Sequence, residues 1–171
     1  METTTLGNTG LEVSRLGIGL VKIGQMEGTD RVERAGRLLN AALDAGINFL
    51  DTSACYGNSE EQVGNTVANR RAEFYLATKC GHVTGEHSGQ PWTAHTIADS
   101  IDRSLKRMKT DYVDLVQLHY CSLDILKRGE VIDALDRAKE EGKTRFIGYS
   151  GDEAAAAWAI ESGRFDTLQT S

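Results

Sequence analysis

The chain has 171 residues, a formal net charge of -6 and a pI near 5.2, with 40% hydrophobic and 26% charged residues. These values belong to a globular protein, and residues 1–171 are expected to form one domain. The negative balance disfavours nucleic acid or an anionic membrane as main partner, no apolar run approaches the roughly 18 residues of a membrane span, METTTLGNTG lacks a charged-then-apolar leader, and a cytoplasmic location is expected.

In chain order, TTTLGNTGLEVS at residues 3–14 predicts a hairpin turning at Asn8-Thr9-Gly10. RLGIGL follows as a short strand. Its Gly17-Ile18-Gly19 matches the start of a dinucleotide fingerprint, but Lys22 stands at the third glycine position and no helix is expected to open there. The glycines are read instead as allowing close packing. Residues 29–45 predict a helix: Val32, Ala35, Leu39 and Ala42 share a face, Asp30 and Glu33 form a capping box, and Gly46 takes the left-handed stop. INFLD is a strand closing at Asp51, and Ser59 opens a helix with Gln62 as its reciprocal cap. EFYLATK closes at Lys79. A loop with Gly81, Gly85, Gly89 and Pro91 leads to a helix capped by Thr93, with Ile97, Ile101 and Leu105 inward. YVDLVQLH closes at His119, and a helix from about Glu130 buries Val131, Leu135 and Ala138 and stops at Gly142. TRFIGYS closes at Ser150, an alanine-rich helix runs to Gly163, and FDTLQ closes at Gln169.

Strands and helices alternating in this way make a parallel sheet with right-handed crossovers. The expected content is six parallel strands and five helices. Two architectures compete: an open doubly wound sheet and an incomplete (β/α)8 TIM-type barrel. A closed barrel needs about 200 residues or more, and at roughly 30 residues per unit the sixth strand uses up this chain. A sheet ending there has an open edge, which predicts cover by a second copy or a partner chain.

Ligands of parallel α/β folds bind at the carboxyl ends of the strands. The polar residues there are Asp51, Lys79, His119, Ser150 and Gln169, with Tyr56 in the loop after Asp51. A phenol, an ammonium, a carboxylate and an imidazole on one rim make a proton-transfer set. An adjacent ammonium lowers a phenol from its free pKa of about 10, so Lys79 is expected to activate Tyr56 while Asp51 keeps Lys79 charged. His119 is placed to orient a substrate oxygen. The set suits proton delivery to a carbonyl oxygen while a hydride reaches the carbon, and a nicotinamide is then required because no side chain supplies hydride. Taken singly, each residue has a plainer reading: Asp51 a turn cap, Tyr56 a surface aromatic, Lys79 a solvated strand end, His119 a core histidine, Ser150 a turn residue. Those readings fail jointly, since all the residues fall on one rim.

FLDTSACYGNSEEQVG, LATK, DLVQLH and FIGYS, in that order, resemble the aldo-keto reductase superfamily. The resemblance spans essentially the whole chain, and the leading hairpin is similar to the one closing the bottom of that family's barrel. It implies a catalytic tetrad of Asp51, Tyr56, Lys79 and His119 with Tyr56 as general acid, NADPH or less often NADH as hydride source, and a small-molecule aldehyde or ketone as substrate. It also implies cofactor contacts from Asp51, Ser150 and Gln169, while Gly151 stands where the family usually has Asn. The family grips its cofactor phosphates with the last two strands and their loops, which lie beyond this chain's six. Charge-assisted phosphate contacts contribute roughly 1.5–3 kcal/mol each, so weaker cofactor binding is expected. The alternative to a reductase is a catalytically incomplete, regulatory or binding subunit of the same fold. A metal-dependent hydrolase ranks last, because only one strand ends in His, and no metal is expected.

Cys55, Cys80 and Cys121 have no CxxC spacing and are read as free thiols, small apolar fillers, with Cys55 the one exposed to oxidation. His82, His87 and His95 are expected to be exposed. Arg103, Lys106, Arg107 and Lys109 read as a solvated outer helix face, and Trp92 as a candidate pocket wall.

Overall fold

The computed structural model describes residues 1–84 and 89–170; the expectations placed on Gly85 and His87 lie outside them. The chain opens with an antiparallel hairpin, β1 (Thr3–Thr5) and β2 (Glu12–Ser14), with Thr4 opposite Val13. Next come β3 (Ile18–Gly19), α1 (Val21–Gly24), α2 (Arg31–Asp44) and β4 (Phe49–Asp51). They are followed by α3 (Ser59–Thr66), a 3-10 segment (Ala68–Glu73), β5 (Tyr75–Cys80), α4 (Ala94–Met108) and β6 (Val113–His119). Then come α5 (Leu123–Arg128), α6 (Glu130–Glu140), β7 (Thr144–Ser150), α7 (Glu153–Ser162) and β8 (Thr167–Gln169).

The six strands β3 to β8 pair in parallel, each beside its neighbour in sequence. A doubly wound sheet reverses strand order at a switch point, and this sheet does not. It curls instead. Gln169 on β8 hydrogen-bonds Asp51 on β4, four places away in the strand order, which a flat sheet cannot allow. The architecture is therefore an incomplete (β/α)8 barrel with its hairpin. The concave face holds a cavity of about 310 Å³ lined by Leu6, Phe49, Leu115, Gln117 and Thr167 among others. In a closed barrel that axis is filled by layers of side chains.

The convex face carries the core. Leu50, Leu76, Val116 and Ile147 point to it from the strands and meet Leu39, Ile97, Ile101 and Leu135 of the helices, all buried. Each such side chain contributes about 1.5–3 kcal/mol on leaving water. α4 forms as its periodicity predicts. Thr93 accepts from the Thr96 amide at 3.2 Å, Ile97, Ile101 and Met108 are buried, and Leu105 is half-buried. Gly46, Gly142 and Gly163 all take the positive φ that ends a helix.

Several local expectations are corrected. Seven α-helices and one 3-10 segment are present among the described residues, not five helices; α1, α5 and the 3-10 segment span only 4, 6 and 6 residues, too short to show a period. A helix does open after β3, as α1. Gly17 is closely packed, with Phe49 3.1 Å from where a Cβ would lie, but Gly19 faces open space. Neither capping box forms: α2 and α3 have no side-chain cap, and Ser59 is buried with its hydroxyl 2.7 Å from that of Thr52. Val32 is 39% exposed, and Leu43 takes its place on the inner face of α2. The basic face of α4 is not merely solvated: Arg107 reaches Glu60 at 3.3 Å and Glu61 at 2.9 Å, and Arg103 reaches the Thr84 hydroxyl at 3.2 Å. No helix among the described residues is long and apolar enough to cross a membrane.

Candidate active site

β4, β5, β6 and β7 end side by side, so their last inward-facing residues meet at one mouth. The ladder pairs Lys79 with Gln117, His119 with Ser150 and Ser150 with Gln169. Lys79 is 1% exposed, and its ammonium donates to Asp51 Oδ1 at 2.6 Å and to the Thr52 carbonyl at 3.1 Å. Burying an ammonium is costly unless it is paired and hydrogen-bonded, and here it is both. Asp51 is held on its other oxygen by the Gln169 amide at 3.0 Å, and Gln169 in turn accepts from Gln117 at 2.9 Å.

Tyr56 stands over this pair. Its ring centroid lies 5.1 Å from Lys79 Nζ and 5.8 Å from the His119 ring, edge-on. Its hydroxyl makes no hydrogen bond among the described residues. The loop carrying it is pinned by glycines. A Cβ on Gly24 of α1 would collide with the Tyr56 carbonyl, and Gly57, at φ +57°, backs onto the Gly24 carbonyl. Only a residue without a side chain permits so close an approach.

The electrostatics depart from the expectation in one respect. Burial, then the negative charge of Asp51, raises Tyr56 above the ordinary phenol value. The nearby ammonium of Lys79 does not bring it below that value: burial and the Asp51 carboxylate decide the direction. Tyr56 is thus a firmly protonated phenol. His119 moves the other way: burial, then the nearby Lys79 and His82, push it down to about 4, and it is neutral at neutral pH. Cys80 and Cys121 are buried free thiols, raised by burial, Cys121 to about 12; Cys55 is half-buried and also free.

The expected residues Asp51, Tyr56, Lys79, His119, Ser150 and Gln169 all reach this mouth. Ser150 is buried at the end of β7, and Gly151 follows it without room for a side chain, since a Cβ would lie 2.5 Å from the Tyr149 hydroxyl. Tyr149 is locked there by a 3.0 Å bond to the Cys121 carbonyl. Two residues were missed. Gln117 anchors the chain of hydrogen bonds to Lys79, and its signal was a lone amide inside an apolar strand. His82 is half-buried rather than exposed, its ring 5.3 Å from His119 and 5.0 Å from Trp92, so that His82 stands between Trp92 and His119. His95 is exposed as expected and pairs with Asp99.

A curled parallel sheet with an acid–base cluster at its carboxyl mouth defines a TIM-barrel type of α/β protein. Residues 15–168 match the Aldo/keto reductase family, and the chain belongs to it. It is 40% identical over 159 residues to L-galactose dehydrogenase of Arabidopsis thaliana, covering 88% of this chain and 49% of that protein. It is 37% identical over 166 residues to 6-dehydroglucose reductase of Novosphingobium aromaticivorans, covering 88% of this chain and 53% of that one. An aldo-keto reductase from Bacillus halodurans in its holo form superposes with a TM-score of 0.87 at 31% identity, over 100% of this chain and 57% of its own. The chain spans about half the length of the curated relatives it matches.

Proposed function

We propose that this chain carries the acid–base half of an NAD(P)H-dependent reductase of aldehydes and ketones, with Tyr56 as the proton donor. The observation that carries this reading is the convergence of a protonated, unpartnered phenol with a buried Lys79–Asp51 pair and a neutral imidazole on one rim. The residues present fit the nicotinamide end of such a cofactor. The Ser150 hydroxyl makes no side-chain hydrogen bond among the described residues, and the Gln169 amide sits exposed at the mouth; together they offer the donors and acceptors a carboxamide needs. Bound there, a reduced nicotinamide supplies the hydride that a carbonyl carbon receives.

Every other task falls to this chain. Tyr56 Oη gives its proton to the carbonyl oxygen as negative charge develops there. The Lys79 ammonium, 5.1 Å from the ring, steadies the phenolate left behind. Asp51 fixes that ammonium, and Gln117 through Gln169 fixes Asp51. His119, uncharged, donates a hydrogen bond to the substrate oxygen without competing as an acid. The sugar-related names of two relatives make a hydroxylated aldehyde a sensible first substrate. The test is loss of reduced-nicotinamide absorbance with a panel of aldehydes and the purified protein. Turnover is expected. No turnover together with a stable protein complex on size exclusion supports the binding-subunit reading instead.

A further inference from the structure

Cys55 has no part in the chemistry just described, yet its sulfur lies 3.3 Å from His119 Nδ1. The Ser53 hydroxyl is 3.2 Å from the same sulfur and 3.5 Å from the same nitrogen. A neutral imidazole has one N–H and one bare nitrogen, and its neighbours decide which is which. Ser53 is occupied elsewhere: it accepts from the Cys55 amide at 3.4 Å and has the Lys79 carbonyl at 3.5 Å as a target for its hydrogen. That leaves the thiol facing Nδ1. A bare imidazole nitrogen is a good acceptor, whereas a thiol sulfur is a poor one, so S–H to Nδ1 is favoured over N–H to sulfur.

We propose that Cys55 is a positioning residue: its thiol donates to Nδ1 of His119 and holds the ring in the tautomer that carries hydrogen on Nε2. The consequence rests on the reductase reading, in which the Nε2 hydrogen meets the substrate oxygen. One loop then serves both groups, since Cys55 directly precedes Tyr56. A hydrogen bond to the far nitrogen of a metal-bound histidine commonly fixes its tautomer, and the physics is the same without a metal.

The test is the nitrogen NMR spectrum of His119 in the purified protein at neutral pH, with nitrogen-15 histidine. Wild type is expected to show a pyridine-type Nδ1 and a pyrrole-type Nε2. Cys55→Ala is expected to shift the population toward the other tautomer by about tenfold, about 1.4 kcal/mol, and to lower kcat by a similar factor with KM little changed. Cys55→Ser, which keeps a donor, is expected to restore the wild-type pattern. A pyrrole-type Nδ1 in wild type overturns the proposal with no variant needed, and so does an unchanged spectrum in Cys55→Ala. The spectra are recorded without substrate or cofactor, so they decide the role of Cys55 whether or not the reductase reading stands.

Discussion

The Lys79–Asp51 pair can be tested by a double-mutant cycle of Asp51→Asn and Lys79→Met. Lys79 is 1% exposed and Asp51 14%, and their atoms meet at 2.6 Å. Removing one partner of a buried pair strands the other charge, at about 3–5 kcal/mol. Here each survivor keeps one neutral partner, Thr52 O for Lys79 and the Gln169 amide for Asp51, so the lower end applies, about 3 kcal/mol for each single variant. The double variant strands no charge and is expected to lose only about 3 kcal/mol in total, half of the additive sum. The coupling is then about 3 kcal/mol, measured by urea unfolding followed by circular dichroism and fluorescence, whose coincidence checks two-state behaviour. A coupling below about 1 kcal/mol, the range of solvent-exposed pairs, refutes the claim that this pair is a buried unit.

Three further outcomes are expected. Gly24→Ala forces a methyl into the Tyr56 carbonyl and is expected to lower stability by about 1–3 kcal/mol and to depress kcat; wild-type melting and turnover contradict the pinned loop. His119, titrated by proton NMR, should gain its charge near pH 4 rather than 6.5. Because the unfolded ring binds its proton first, stability should fall as pH drops from 6.5 toward 4, and a His119→Gln variant should lose that slope. Glu60 behaves oppositely. Burial raises its carboxyl despite the Ser104, Thr78 and Arg107 contacts, so the folded state binds the proton more tightly than the unfolded one. Stability therefore falls as pH rises from 4.5 through the raised folded value, and Glu60→Gln should flatten that slope in urea titrations.

Much of the fold was legible because its units repeat. Ile97 and Ile101 are buried on one side of α4 with Leu105 half-buried beside them, and β6 and β7 are largely apolar strands ending in His119 and Ser150. The site was legible because parallel sheets deliver their strand ends to one mouth. What escaped was set by tertiary contact. Ser59 has the look of a helix cap, but Thr52 claims its hydroxyl. Arg107 has the look of a surface cation, but Glu60 lies buried beneath it, bonded to Thr78 at 2.7 Å. The direction of the Tyr56 shift was not legible, because spacing brings Lys79 near without showing that the phenol is partly buried and that Asp51 acts on it as well. Asp114 is another such case. It sits nearly buried at the foot of β6 and ties the Leu76 amide, Arg71 and Arg145 together at 2.9, 2.6 and 2.9 Å.

The most direct measurement is turnover of Tyr56→Phe, with reduced-nicotinamide binding followed by fluorescence in the same preparation. Deleting one hydroxyl that makes no hydrogen bond among the described residues should leave the fold and cofactor affinity intact and reduce aldehyde reduction by at least about 100-fold, the low end for a lost general acid. Undiminished reduction by the phenylalanine variant would mean that the proton comes from elsewhere.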